Sequence, residues 1–194
     1  MKTRQSISVF GGIVIGAMLL AFSLEASALE VAGVDVPQSV TIENKALVLN
    51  GAGIRKKFFF KIYVGALYLP VKHTTVNSIL NDAGGKRIVM SFLYKEVTAE
   101  DLVNGWNDGF TGNSSAKELK ALQERINQFN SLFTTVHTGD EIRLDYLPGK
   151  GTQVSLNGTL KGSVPGEDFS KALLKIWLGS KPADKGLKKA WLGK

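Results

Sequence analysis

Cysteine is absent from the chain, histidine occurs twice, and no apolar run is long enough to cross a bilayer as a helix. The first absence excludes disulfide frameworks and thiolate chemistry. The second leaves no metal site to expect, because His73 and His137 are isolated and lack carboxylates or a second histidine at ligand spacing. The apolar stretch Val9 to Phe22 has about 14 residues, against the roughly 20 that span a membrane. Lys2 and Arg4 precede it and Ala26-Ser27-Ala28 follows, the order of a basic n-region, an apolar h-region and a small-x-small cleavage site. Residues 1–28 are therefore expected to be a signal peptide, with an uncleaved N-terminal anchor as the alternative. Residues 29–194 would form one domain, and an exported chain without cysteine suits a bacterial periplasm.

Familiar enzyme signatures are missing as well. No Gly-x-Ser-x-Gly nucleophile elbow is present. Gly149-Lys150-Gly151-Thr152 lacks the upstream glycine of a phosphate loop and reads as a hairpin turn. Gly51-Ala52-Gly53 has Lys56 where a dinucleotide fingerprint needs its third glycine. No cofactor is expected. The net charge is +7, or +6 without Lys2, Arg4 and Glu25, but the lysines are scattered or gathered at the end, as in Lys181, Lys185, Lys188, Lys189 and Lys194. No basic run interleaved with stacking aromatics is expected, so nucleic acid is not a predicted partner and the charge reads as a solvated surface.

What is present begins with alternation. Leu29 to Val40 predicts a small hairpin, and Val40 to Leu49 a strand ending at an Asn50-Gly51 turn. Arg55 is expected in the turn that follows. Phe58 to Leu69 predicts a long strand with Phe58, Phe60, Ile62, Val64 and Ala66 as core. Its other face (Phe59, Lys61, Tyr63, Gly65, Leu67) would form a cleft wall. Lys86 to Leu93 predicts another strand, and Val76, Ile79 and Leu80 a short helix before it.

Thr98 to Asp101 and Ser115 to Glu118 have capping-box form and open two helices. The second carries Leu119, Leu122, Ile126, Phe129 and Phe133 at helical spacing. Residues 140–164 read as a three-strand meander turning at Pro148–Gly151 and Asn157-Gly158. A helix with the stripe Phe169, Ala172, Leu173, Ile176 and Trp177 follows, then a basic helix over 182–192. The fold class is α+β, a large antiparallel sheet with helices packed on one face.

Arg55, Lys61, Tyr63 and Tyr94 are the residues left to carry chemistry. An arginine at a cleft mouth suits a carboxylate or a developing enolate, since its fork donates two parallel hydrogen bonds. A nearby tyrosine hydroxyl could donate to the same oxygen or orient a water. A solvated arginine beside two half-buried tyrosines would have the same composition.

Gly51-Ala-Gly-Ile-Arg55, Lys61-Ile-Tyr63-Val-Gly65-Ala-Leu-Tyr68 and the segment Tyr94 to Trp106 follow one another along the chain. The hairpin Tyr146 to Thr152 and the closing segments DFSKALLKIWLG and LKKAWLG come after them. In these motifs, in this order and spacing, the chain resembles a bacterial, exported member of the chalcone isomerase-like family. The resemblance implies an open-faced β-sandwich with a ligand cleft between strand and helix layers. Arg55 and Tyr94 stand at the arginine and tyrosine positions of the enzymes. Tyr63 replaces a threonine, as in the plastid fatty-acid-binding relatives; Asp101 replaces an asparagine; Ile176 or Trp177 falls near a lost hydroxyl.

The resemblance places Arg55, Tyr63, Tyr94, Lys61, Asp101, Trp106 and Ile176 at the ligand. A buried carboxylate at Asp101 would repel a phenolate, and Tyr63 would fill the volume of a flavonoid ring. The expected function is a non-catalytic periplasmic binder of a fatty acid or similar amphipathic carboxylate, headed by Arg55 and Tyr63. The alternatives are an isomerase acting on a chalcone-like enone through an arginine-stabilised enolate, with Arg55, Tyr63 and Tyr94 catalytic, and an export partner that leaves the cleft unused. A monomer, with no stable membrane insertion once the signal is removed, is expected.

Overall fold

The computed structural model describes residues 28–194, so the expected signal peptide lies outside the described residues apart from Ala28. Strands β1 (Ala28–Val31) and β2 (Val34–Pro37) form the predicted hairpin. Ala32 and Gly33 supply its turn with φ of 52° and 82°, the positive pair that a two-residue hairpin turn matching strand twist requires. The main sheet has seven antiparallel strands. They are β3 (Ser39–Ile42), β4 (Lys45–Lys57), β5 (Phe60–Leu69), β6 (Lys86–Phe92), β9 (Glu141–Leu147), β10 (Gly151–Leu156) and β11 (Thr159–Val164). Their order is β11-β10-β9-β6-β5-β4-β3, so every neighbour is antiparallel and the predicted meander forms one edge. Two short strands, β7 (Glu96–Val97) and β8 (Val136–His137), pair beside it.

Among the described residues five helices complete the fold: α1 (Val76–Asn81), α2 (Ala99–Asn113), α3 (Ala116–Asn130), α4 (Glu167–Leu178) and α5 (Lys185–Trp191). Thr98 caps α2 by accepting from the Asp101 N–H at 3.1 Å, but Asp101 accepts from the Thr98 hydroxyl rather than reaching the backbone. Ser115 and Glu118 make the full reciprocal box on α3. The last helix begins at Lys185, because the Asp184 carboxylate accepts from the Leu187 N–H at 2.8 Å.

Helices cover one face of the sheet, and the β1–β2 hairpin covers part of the other. Tyr63, Leu67 and Leu69 of β5 pack with helical residues such as Phe110, Phe129, Phe169 and Trp177 into the larger apolar cluster. On the opposite face Val64, Ala66 and Tyr68 join Val36, Leu47 and Leu49 in a smaller one beneath the β1–β2 hairpin. The Tyr68 hydroxyl donates to the Pro37 carbonyl at 3.0 Å and ties that hairpin down.

Three sequence expectations are corrected. Phe58 and Phe60 are not core: Phe58, Phe59 and Phe60 form the β4–β5 hairpin tip and are 86%, 83% and 46% exposed. Asn50-Gly51 is not a turn. The β3–β4 turn is Glu43-Asn44, both at positive φ, and β4 runs on through Asn50 with a bulge between Leu49 and Gly51. The Asn50 amide instead donates to the carbonyls of His73 at 2.9 Å and Trp191 at 2.5 Å. Arg55 accordingly sits within β4, opposite Tyr63, and not in a turn.

The glycines of β4 are explained by α5. A Cβ on Gly51 would overlap the Ala190 carbonyl, and one on Gly53 would lie 2.8 Å from the Ala190 Cβ. Only glycine lets the last helix lie this close to the strand.

Candidate functional site

The site lies where β4 and β5 pass beneath α2. A second bulge, between Arg55 and Lys56, shifts the register at the end of the hairpin. The bulge explains why Ile62 and Tyr63, neighbours in sequence, both line the same inner cavity. That cavity is about 40 Å³ and is walled by Arg55, Ile62, Tyr63, Phe92, Trp106 and Ile176 among others. A wider vestibule of about 400 Å³ lies outside it. Phe58, Phe60, Ile62 and Tyr94 line it together with Glu96, Asp101 and Asp108. Arg55, Ile62, Val97, Asp101 and Gly105 border both spaces and mark the neck between them.

Arg55 brings a positive charge to the neck, and Asp101 a carboxylate on its α2 side. Of the four arginines among the described residues, Arg87, Arg125 and Arg143 each pair with a carboxylate. Arg55 has no carboxylate within 4.0 Å among the described residues. Its guanidinium carbon instead lies 5.7 Å from the Tyr63 ring centroid, a cation–π distance. It is half-buried, so its charge is only partly screened by water.

Tyr63 is 3% exposed. Its hydroxyl oxygen accepts from the Trp177 indole N–H at 2.7 Å, which leaves the phenolic proton free to donate. Burial pushes its pKa up, against the opposing pull of Arg55 and Trp177, so the side chain stays a neutral phenol. Trp106 is buried, and its indole N–H finds no partner among the described residues. An unpaired buried donor in a cavity wall is a polar group awaiting an acceptor.

The seven residues expected at the ligand divide. Arg55, Tyr63, Trp106 and Ile176 meet at the inner cavity. Asp101 borders it, but its side chain is exposed and hydrogen-bonded to Thr98, so the expected buried carboxylate is not there. Tyr94 stands in the vestibule, stacked edge-on against Phe60 at 5.4 Å, and does not share the head with Tyr63. Lys61 borders neither space; it is exposed and lies opposite Lys56.

Sequence reasoning missed Gly105, which sits inside α2 with nothing within 4 Å of where a Cβ would stand. A glycine inside an expected helix was the available signal. It also missed Phe58 and Phe60 as vestibule walls, having assigned both to the core.

A large antiparallel sheet under a helical layer, with a cleft between them headed by an arginine, defines a chalcone isomerase-type open-faced sandwich. The chalcone isomerase-like family model matches residues 28–193, and the chain belongs to that family. A crystal structure of a fatty-acid binding protein from Arabidopsis thaliana is similar in fold, with a TM-score of 0.61 and 18% sequence identity. The match covers 82% of this chain and 92% of the plant protein. No curated protein matches by sequence.

Proposed function

We propose that this chain is a non-catalytic binder of a fatty acid or similar amphipathic carboxylate, working in the periplasm after removal of residues 1–28. The observation that carries the reading is Arg55: a half-buried guanidinium at the neck of an aromatic-walled cleft, with no carboxylate partner among the described residues. A ligand carboxylate there would take the fork, with the Trp106 N–H and the Tyr63 hydroxyl as further donors. The inner cavity has room for a headgroup or a few waters and not for an acyl chain. The tail would run outward over Phe60, Ile62 and Tyr94 in the vestibule, whose 400 Å³ falls within the usual size of ligand sites. The plant relative, a fatty-acid binding protein by name, supports the same ligand class.

Binding of a long-chain acid, followed by calorimetry with wild type and Arg55→Ala, tests this. Loss of a charge-assisted bidentate contact should weaken binding roughly 10- to 100-fold. Equal affinity in the two proteins would remove the carboxylate from Arg55. The isomerase reading meets an obstacle of geometry, since Tyr63 and Tyr94, which it sets beside Arg55 at one enone, line different spaces, Tyr63 the inner cavity and Tyr94 the vestibule. Chalcone cyclisation is therefore expected at the rate of buffer alone, and acceleration that Arg55→Ala abolishes would restore the enzyme reading.

A further inference from the structure

The tip of the β4–β5 hairpin is built against its own stability. Phe58 and Phe59 are 86% and 83% exposed, beside a half-exposed Phe60. Phe58 takes the first position of the two-residue loop at φ 57°, where glycine is the usual occupant. Below the loop Lys56 stands directly opposite Lys61, a like-charge pair that weakens a hairpin. Lys57 adds a third ammonium. The aromatic-and-basic run absent from the sequence reading is therefore here, KKFFFK, hidden because Phe58 and Phe60 were counted as core.

We propose that this tip docks the protein on an anionic phospholipid surface. Phenylalanines at a loop apex enter the headgroup boundary of a bilayer, and lysines around them meet the lipid phosphates. An anionic surface would also relieve the Lys56–Lys61 repulsion. The charge is polarised about the vestibule: Lys56, Lys57 and Lys61 sit on the hairpin, while Glu96, Asp101 and Asp108 line the vestibule wall. That contrast sets an orientation in which the hairpin, and not the acidic wall, faces the membrane. Because Lys57, Phe58 and Phe60 also line the vestibule, a docked tip brings the hairpin side of the vestibule to the lipid surface, with β7 and α2 set back from it. Exchange of an acid between bilayer and cleft rests on the binding function proposed above. The docking itself rests on the hairpin alone.

Co-sedimentation of delipidated protein with vesicles containing phosphatidylglycerol, against pure phosphatidylcholine vesicles, tests the docking without any bound acid. Wild type should bind the anionic vesicles roughly tenfold more tightly or better, and high salt should reduce that preference. The double change Phe58→Ser with Phe59→Ser should weaken binding about tenfold, and so should Lys56→Glu with Lys57→Glu. Both pairs are exposed, so the unfolding midpoint should stay near wild type. No preference for anionic vesicles, or full binding by the double serine variant, would overturn the proposal. So would a wild-type dimer in sedimentation velocity that the serine changes dissolve, because the tip would then serve a second copy of the chain.

Discussion

Two arginines, one on each face of the sheet, stand in opposite electrostatic states, one paired with a carboxylate and one not. Arg87 of β6 lies on the face beneath the β1–β2 hairpin, opposite Tyr68. Its Nε and one terminal nitrogen donate to the two Asp145 oxygens, each at 2.6 Å, with both side chains largely buried. Arg55 of β4 lies on the helical face opposite Tyr63 and has an aromatic ring in place of a carboxylate. A hollow of about 130 Å³ adjoins Arg87 as well, lined also by Arg143 and Glu141. There, however, each arginine is already neutralised, Arg143 by Glu141 at 2.6 Å. A cavity beside satisfied charges offers a ligand little. A cavity beside an unsatisfied one offers it a partner that the fold withholds.

The largest effect should separate these arginines by stability. Asp145→Ala strands a mostly buried guanidinium and should lower the unfolding free energy by roughly 3 kcal/mol in urea titration. Arg55→Ala removes a charge that folding leaves unpaired, so stability should stay within about 1 kcal/mol of wild type while ligand affinity falls. Similar losses from the two substitutions would end the distinction.

Tyr63 tests the same distinction. It shares the cavity with Arg55, yet its hydroxyl is the acceptor for a buried indole N–H. Tyr63→Phe should therefore destabilise by about 1–2 kcal/mol, the usual penalty for an orphaned buried donor. The accompanying loss of ligand affinity should be smaller than for Arg55→Ala. Unchanged stability with a large loss of affinity would move Tyr63 into the ligand-facing group.

The fold was largely legible because local signals agreed with one another. The meander turns, the Ser115–Glu118 box and the helical stripe through Phe129 each depend on residues close in sequence. The errors arose where a distant element decides. Asn50-Gly51 has the composition of a turn, but α5 closes over Gly51 and Asn50 is drawn to His73 and Trp191, the latter 141 residues away. The bulge at Arg55 breaks the simple alternation that put Phe58 and Phe60 in the core. At the candidate site, chemistry singles out Arg55 and Tyr63, and the β4–β5 register sets them side by side. The partner of Tyr63, the unpaired state of Trp106 and the isolation of Lys61 depend on packing that alternation alone does not encode.

The smallest effect has the opposite sign and belongs to Gly105 of α2, one helical turn before Gly109. At Gly109 a Cβ would meet the Ile176 side chain at 2.7 Å, so glycine is needed for α2 to approach α4. Gly109→Ala should destabilise by about 1–3 kcal/mol through overpacking. Gly105 has open space above it and borders both the inner cavity and the vestibule. Helix propensity alone predicts that Gly105→Ala raises stability by up to about 1 kcal/mol, measurable as a higher urea midpoint. A fold selected for stability would have made that change, so the glycine is explained by the neck it keeps open. Gly105→Leu should then preserve folding and block the acid from Arg55. A leucine that leaves binding intact would show that the ligand does not pass this neck.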